Sequence, residues 1–326
     1  MAMDQFTDAR RRFVLGSASM ALTVGTGLGV SGCGGGAQEA YERFGYGVAS
    51  GDPLSDRVIL WTRVNNAGAD PTTVQWDVAT DAAFAGIVRT GSAVTSSVQD
   101  FTVKVDVTGL SPATTYYYRF RHGTETSATG RTKTLPVGNA SKVVIGAFSC
   151  AAFPLGQFHV YSAAADRGDL DVALLLGDYI YETGLSDAEQ IAATLIDRKM
   201  DPKGELHLLS EYRARYAQYH TDSDLRAFHA NIPVIAVWDD HEIVNDTWRD
   251  GAGGHDSATE GSFAARRAAA VQAFHEWLPT RTSTLPDLFT IYRSFDFGNL
   301  LSLHMLDTRV VGRDAPLGRD AHLAGA

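Results

Sequence analysis

Three short apolar runs limit what this chain can fold into: Lys142-Val-Val-Ile-Gly-Ala-Phe-Ser-Cys150, Asp171-Val-Ala-Leu-Leu-Leu-Gly-Asp178, and Val234-Ile-Ala-Val237 after Pro233. Each is continuous rather than alternating and ends in Gly or a polar residue, which fits a strand buried on both faces. Residues 156–167 and 205–229 carry apolar residues at helical spacing, and 262–277 is rich in Ala; all three predict helices. Residues 288–297 and 300–306 flank Gly298-Asn299 and predict a β-hairpin. Strands alternating with helices predict an α/β layered domain over 137–326.

The ends of those runs are chemically unusual. The first finishes at Ser149-Cys150, the second at Gly177-Asp178-Tyr179-Ile180-Tyr181, the third at Trp238-Asp239-Asp240-His241-Glu242, followed by Asn245 and Asp246. Open α/β sheets gather ligand chemistry beyond the carboxyl ends of their strands. Like charges so close repel, so a metal, a network of Arg and Lys, or a solvated turn must compensate them. A thiolate and a phenolate have high proton affinity and suit iron(III) or zinc, whereas carboxylate and amide oxygens suit calcium or magnesium. His241 is placed to protonate a leaving group or to hold a phosphate, with Glu242 expected to fix its ring. Read singly, each residue has an ordinary alternative: Cys150 a buried thiol, Asp178 a turn or cap, Tyr181 one tyrosine among many. His159, His207, His220, His229 and His275 fall on expected helices and receive no role.

Residues 41–136 read differently. Residues 57–64, 73–78 and 101–107 alternate with period two, and turn residues separate them. Gly109-Leu-Ser-Pro-Ala-Thr-Thr-Tyr116 resembles the corner of fibronectin-type sandwiches, where a Tyr hydroxyl ties down a strand crossover. An all-β immunoglobulin/fibronectin-like sandwich is therefore expected before the α/β domain.

The N-terminus reads as targeting rather than fold. Arg10-Arg11-Arg12-Phe13 precedes a small, apolar stretch to Gly32, the layout of an export signal of twin-arginine type over 1–32. Val30-Ser31-Gly32-Cys33 resembles a lipobox with Cys33 as the lipidated residue, and 33–40 forms a glycine-rich tether. An exported, periplasmic or extracytoplasmic, membrane-anchored location is expected. Only two cysteines occur, so Cys150 has no internal partner once Cys33 is lipidated or removed. The formal net charge of −10, without a Lys/Arg stripe, argues against a stable nucleic-acid complex.

These residues carry a family resemblance. Gly177-Asp178-x-x-Tyr181 resembles the motif of purple acid phosphatases, and Asp240-His241-Glu242 stands where metallophosphatases have Asn-His-Glu or Asn-His-Asp. With Gly47–Pro53, Leu60-Trp61-Thr62-Arg63, Ser149-Cys150, Trp238–Glu242 and Asp307-Thr308-Arg309, the chain resembles PhoD-like alkaline phosphatases/phosphodiesterases from about Phe44 to Arg309. The resemblance implies α-β-β-α layers and an iron–calcium centre, Fe3+ and Ca2+, hydrolysing phosphate mono- or diesters with metal-activated water. It implies that Cys150 and Tyr181 bind iron, that Asp178 bridges iron and calcium, and that Asp239 and Asp240 are metal ligands. Asn245, with Asp246 as the alternative, would serve the calcium side. The family continues with strands bearing an Asp and His-containing motifs, whereas this sequence stops at Ala326 without a Gly-His-x-His, so an incomplete α/β domain is expected. The competing reading is a non-catalytic surface lipoprotein or inactive fragment with a binding role.

Overall fold

Strand β1 (Val48–Gly51) is the seam of the molecule. On one side it pairs antiparallel with β2 (Arg57–Arg63); on the other, Gly51 pairs with Val234 in parallel. Gly51 is required there, since a Cβ would lie 2.4 Å from the Pro279 carbonyl oxygen. A computed structural model describes residues 42–281 and 288–317. The leader, Cys33 and the tether lie outside those residues.

The β-rich half continues with β3 (Thr72–Ala79), β4 (Ile87–Thr95), β5 (Thr102–Thr108), β6 (Thr115–His122), β7 (Glu125–Thr126) and β8 (Gly130–Lys133). One sheet runs β4-β3-β6-β7, with β8 also on β6. It faces β1, β2 and β5 across a core of Val48, Val58, Leu60, Val74, Val78, Val103, Tyr118 and Phe120. Removing such a side chain from water contributes about 1.5–3 kcal/mol. The corner read from the sequence is present: the Tyr116 hydroxyl accepts the Ser111 N–H at 2.9 Å.

The second half contributes β9 (Ile145–Phe148), α1 (His159–Arg167), β10 (Val172–Leu175), α2 (Asp187–Leu195), α3 (Leu209–Tyr219), α4 (Ser223–Asn231) and β11 (Val234–Ala236). Then come β12 (Thr247–Trp248), β13 (Gly251–Ala252), α5 (Phe263–Trp277), β14 (Arg293–Phe297) and β15 (Leu301–Met305). The three apolar runs are parallel neighbours, and the six-stranded sheet reads β5-β2-β1-β11-β10-β9. Hydrogen bonding thus runs unbroken from antiparallel strands before residue 136 to parallel strands after it.

Around this sheet α1 packs on α4, and α3 on α5. The helix expected over 205–229 is two: Asp222 caps α4 by accepting the Leu225 N–H at 2.8 Å, which competes with helical continuation. Helix α2, not foreseen, starts with a capping box of Ser186 and Glu189. Residues 247–252 pair as the short β12–β13 ribbon. The expected hairpin is β14–β15.

Candidate metal and phosphate site

Parallel pairing puts three strand ends at one edge. Leu175 is opposite both Phe148 and Ala236, so the chains leaving β9, β10 and β11 emerge side by side. The ladder extends past the strands: Cys150 N–H bonds the Gly177 carbonyl at 3.3 Å, Ala151 N–H the Asp178 carbonyl at 2.8 Å, and Val237 N–H the Leu175 carbonyl at 2.9 Å. Gly177, at φ 96°, makes the convergence possible, because a Cβ there would sit 2.4 Å from the Asp239 backbone nitrogen. Cys150 and Asp178 follow in the left-handed region at φ 60° and 53°, a strained conformation that turns both side chains out of strand alternation.

Five of the residues read from the sequence come together. Asp178 Oδ2 lies 3.5 Å from the Cys150 sulfur and 3.2 Å from the Tyr181 hydroxyl. Asp178, Asp240 and His241 have ligand atoms within 4.8 Å of one another, and the Tyr181 and His241 rings lie 4.4 Å apart. Asp239 instead forms a fork with Arg309, at 2.5 and 3.1 Å. Arg309 also reaches Asp240 at 3.4 Å. The Asn245 side chain turns to Asp246 at 3.2 Å, and the Asp246 N–H donates to Asp240 Oδ2 at 2.6 Å.

The expectation that Glu242 orients His241 is corrected. Glu182, fully buried, lies 2.7 Å from His241 Nδ1 and accepts the Asn245 N–H at 2.7 Å. Glu242 instead accepts the backbone N–H groups of Tyr179 (2.5 Å) and Asp239 (2.8 Å), tying two strand ends together. Glu182 had a sequence signal, its place directly after Tyr181. Arg309 had one too, in the Asp307-Thr308-Arg309 motif.

Charge in the site follows from this geometry. Burial raises the Asp178 carboxyl, opposed by His241 and reinforced by Asp240 and Asp239. Burial and the adjacent Asp178 raise the Tyr181 phenol far above its usual range. For His241 burial pushes downward, but the hydrogen bond and charge of Glu182, with Asp178 and Asp240, outweigh it and lift the imidazole to about 9. Burial raises Glu242 to about 8 despite the backbone N–H groups of Tyr179, Asp239 and Asp178 that oppose it.

The donor set fits cations. Asp178 Oδ1 is buried without a hydrogen-bond partner, on a residue only 8 % exposed. A thiol, a phenol and two carboxylates around such an oxygen are what a highly charged ion uses once it displaces their protons. A second group, Glu205, His207 and Glu260, also has ligand atoms within 4.8 Å, but Arg266 already pairs with both glutamates at 2.7 and 3.1 Å.

Comparisons with known proteins show what the chain is similar to. The family model described as PhoD-like phosphatase matches residues 144–325, and that of the PhoD-like phosphatase N-terminal domain matches 31–136. Alkaline phosphatase D of Bacillus subtilis (strain 168) is 38% identical over 316 residues, covering 92% of this chain and 53% of that protein. A solved chain described as the structure of PhoD superposes with a TM-score of 0.75 at 38% identity, over 85% of this chain and 54% of its own. The chain thus spans about half the length of the relatives it matches.

Proposed function

The chain belongs to the PhoD-like phosphatase family, and from that premise we propose that it is an exported phosphoric ester hydrolase acting on phosphate mono- or diesters. The observation that carries the reading is the convergence of Cys150, Asp178, Tyr181, Asp240 and His241 at one sheet edge. In this reading Cys150 and Tyr181 would hold Fe3+, Asp178 would serve both Fe3+ and Ca2+, and Asp239, Asp240 and Asn245 would be further ligands. Bound cations neutralise phosphoryl charge and lower the pKa of attacking water. Cys33 and the twin-arginine leader give the location, a lipid-anchored extracytoplasmic enzyme. The Tyr116 corner supports a fibronectin-like β-sandwich ahead of a metallophosphatase domain.

The chain's own groups complete the chemistry. Glu182 raises the His241 imidazole through its hydrogen bond and charge and occupies Nδ1, which leaves the other ring nitrogen for the ester. An imidazolium there donates to a departing oxygen and so stabilises the charge that develops as the bond breaks. Glu242 and Gly177 hold the strand ends in register while this happens.

Elemental analysis and a visible spectrum of the chain from Gly34 onward test the reading. Iron with a tyrosinate band that disappears in Tyr181→Phe is expected. Hydrolysis of p-nitrophenyl phosphate is expected to fall by roughly two orders of magnitude in Cys150→Ala and Asp178→Asn. Iron-free folded protein, or undiminished hydrolysis in both variants, removes the reading.

A further inference from the structure

Among the described residues, the arginine ion-paired with the strand-end aspartates is Arg309. Its guanidinium grips Asp239 at 2.5 and 3.1 Å and lies 3.4 Å from Asp240, with the arginine side chain 15 % exposed. Its backbone is fixed independently, because Asp307 Oδ1 accepts the N–H groups of Arg309 (2.8 Å) and Val310 (2.7 Å). The head group can therefore move on its flexible stem while its base stays in place. A guanidinium fork matches a carboxylate and a phosphate equally well. Beside this pair, Asp178 Oδ1 is buried without a donor, and Asp240 belongs both to the Arg309 contact and to the group formed with Asp178 and His241. The same carboxylates thus face the arginine and the position a cation would take.

We propose that Arg309 is a counter-ion that competes with a divalent cation for Asp239 and Asp240, and that a cation arriving there releases the guanidinium to hold the phosphoryl oxygens of the substrate. The inference rests on the reading of these strand ends as a phosphoesterase metal site. A doubly charged ion outbids a single delocalised charge for two carboxylates, and the freed guanidinium then stands beside the bound phosphate with no carboxylate to satisfy it. Arg309 in this scheme contacts substrate only in the cation-loaded protein, and before loading it prevents the aspartates from repelling one another.

The test is calcium titration calorimetry on the metal-depleted chain, in wild type, Arg309→Gln and Arg309→Lys, followed by inorganic phosphate titration of the calcium-loaded proteins. Removing the competing charge is expected to tighten calcium binding about tenfold in Arg309→Gln and to weaken phosphate binding by a similar factor. Arg309→Lys, which keeps a charge but not the fork, falls between. Calcium binding that is unchanged or weaker in Arg309→Gln overturns the proposal while leaving the cation site intact, as does undiminished phosphate binding. Absence of calcium binding in all three proteins removes the underlying site reading and the proposal with it. Should Arg309→Gln fail to fold by circular dichroism, Arg309→Lys decides alone, and calcium affinity equal to wild type refutes competition.

Discussion

Two buried glutamates meet at the His241 turn and hold different things. Glu182 touches the imidazole and the Asn245 N–H, so it governs charge; Glu242 accepts backbone N–H groups, those of Tyr179 and Asp239 among them, so it governs geometry. Glu182→Gln keeps the volume and removes the charge beside His241 Nδ1. Turnover of an aryl phosphate should drop by about 10–100-fold, the usual effect of losing a partner that orients an active group, with little change in thermal midpoint. Full turnover in that variant would falsify the assigned role. Glu242→Ala should show the reverse emphasis, because it strands two buried N–H groups at about 1–3 kcal/mol each, read as a lower urea midpoint. Sequence adjacency suggested Glu242 as the partner of His241, yet successive residues do not face each other in compact turns. Cys150, Asp178, Tyr181 and Asp240 were legible for the opposite reason: each sits at or just beyond a recognisable strand end, and parallel register brings such ends together.

At the scale of elements, the α3–α4 corner concentrates buried imidazoles. His220 ends α3 and His229 lies on α4, with the Tyr179 hydroxyl 3.2 and 2.8 Å from their Nε2 atoms; His275 is buried on α5. Burial holds His220 at about 4 and His275 at about 3, and puts His229 well below the ordinary 6.5. A histidine lowered in this way is neutral in the folded chain while its unfolded counterpart takes up a proton. Stability is therefore complete above about pH 6.5 and is lost as pH falls toward 4. His220 alone should remove about 2 kcal/mol between pH 7 and pH 5. His220→Gln should start less stable at pH 7 and lose less on acidification, by that amount, in urea titrations at the two pH values. An equal loss in both proteins would assign the acid sensitivity to other groups. The periodicity of 205–229 correctly predicted helix, but the cap at Asp222 was hidden among other polar residues, and burial of the histidines depends on packing that no single helix encodes.

At the scale of the molecule, the change of pattern near residue 136 was visible because alternation and continuous apolar runs differ locally. The pairing of Gly51 with Val234 was not, since it joins segments far apart in sequence and leaves no periodic trace. That pairing makes the β-rich half part of the scaffold that carries the strand-end cluster. Asp52, wholly buried, pairs with Arg293 at 2.6 and 2.9 Å, and Arg293 in turn donates to the Ala236 carbonyl at 2.7 Å, in the strand leading to Asp239. Trp61 Nε1 donates to the Glu276 carbonyl at 2.7 Å, and Lys104 to that of His275 at 2.6 Å. A chain beginning at Val137 would expose β11 as an edge, leave Arg293 without its carboxylate and uncover the face on which Trp61 sits. Each lost buried ion pair costs about 3–5 kcal/mol when only one partner remains, comparable with the stability of a whole domain. Such a chain should therefore lack near-ultraviolet circular dichroism and a cooperative melting transition. A transition at the temperature of the longer protein would instead show that the shared sheet contributes nothing the parallel strands cannot supply, and the position of Asp239 and Asp240 would then have to be explained from β9, β10 and β11 alone.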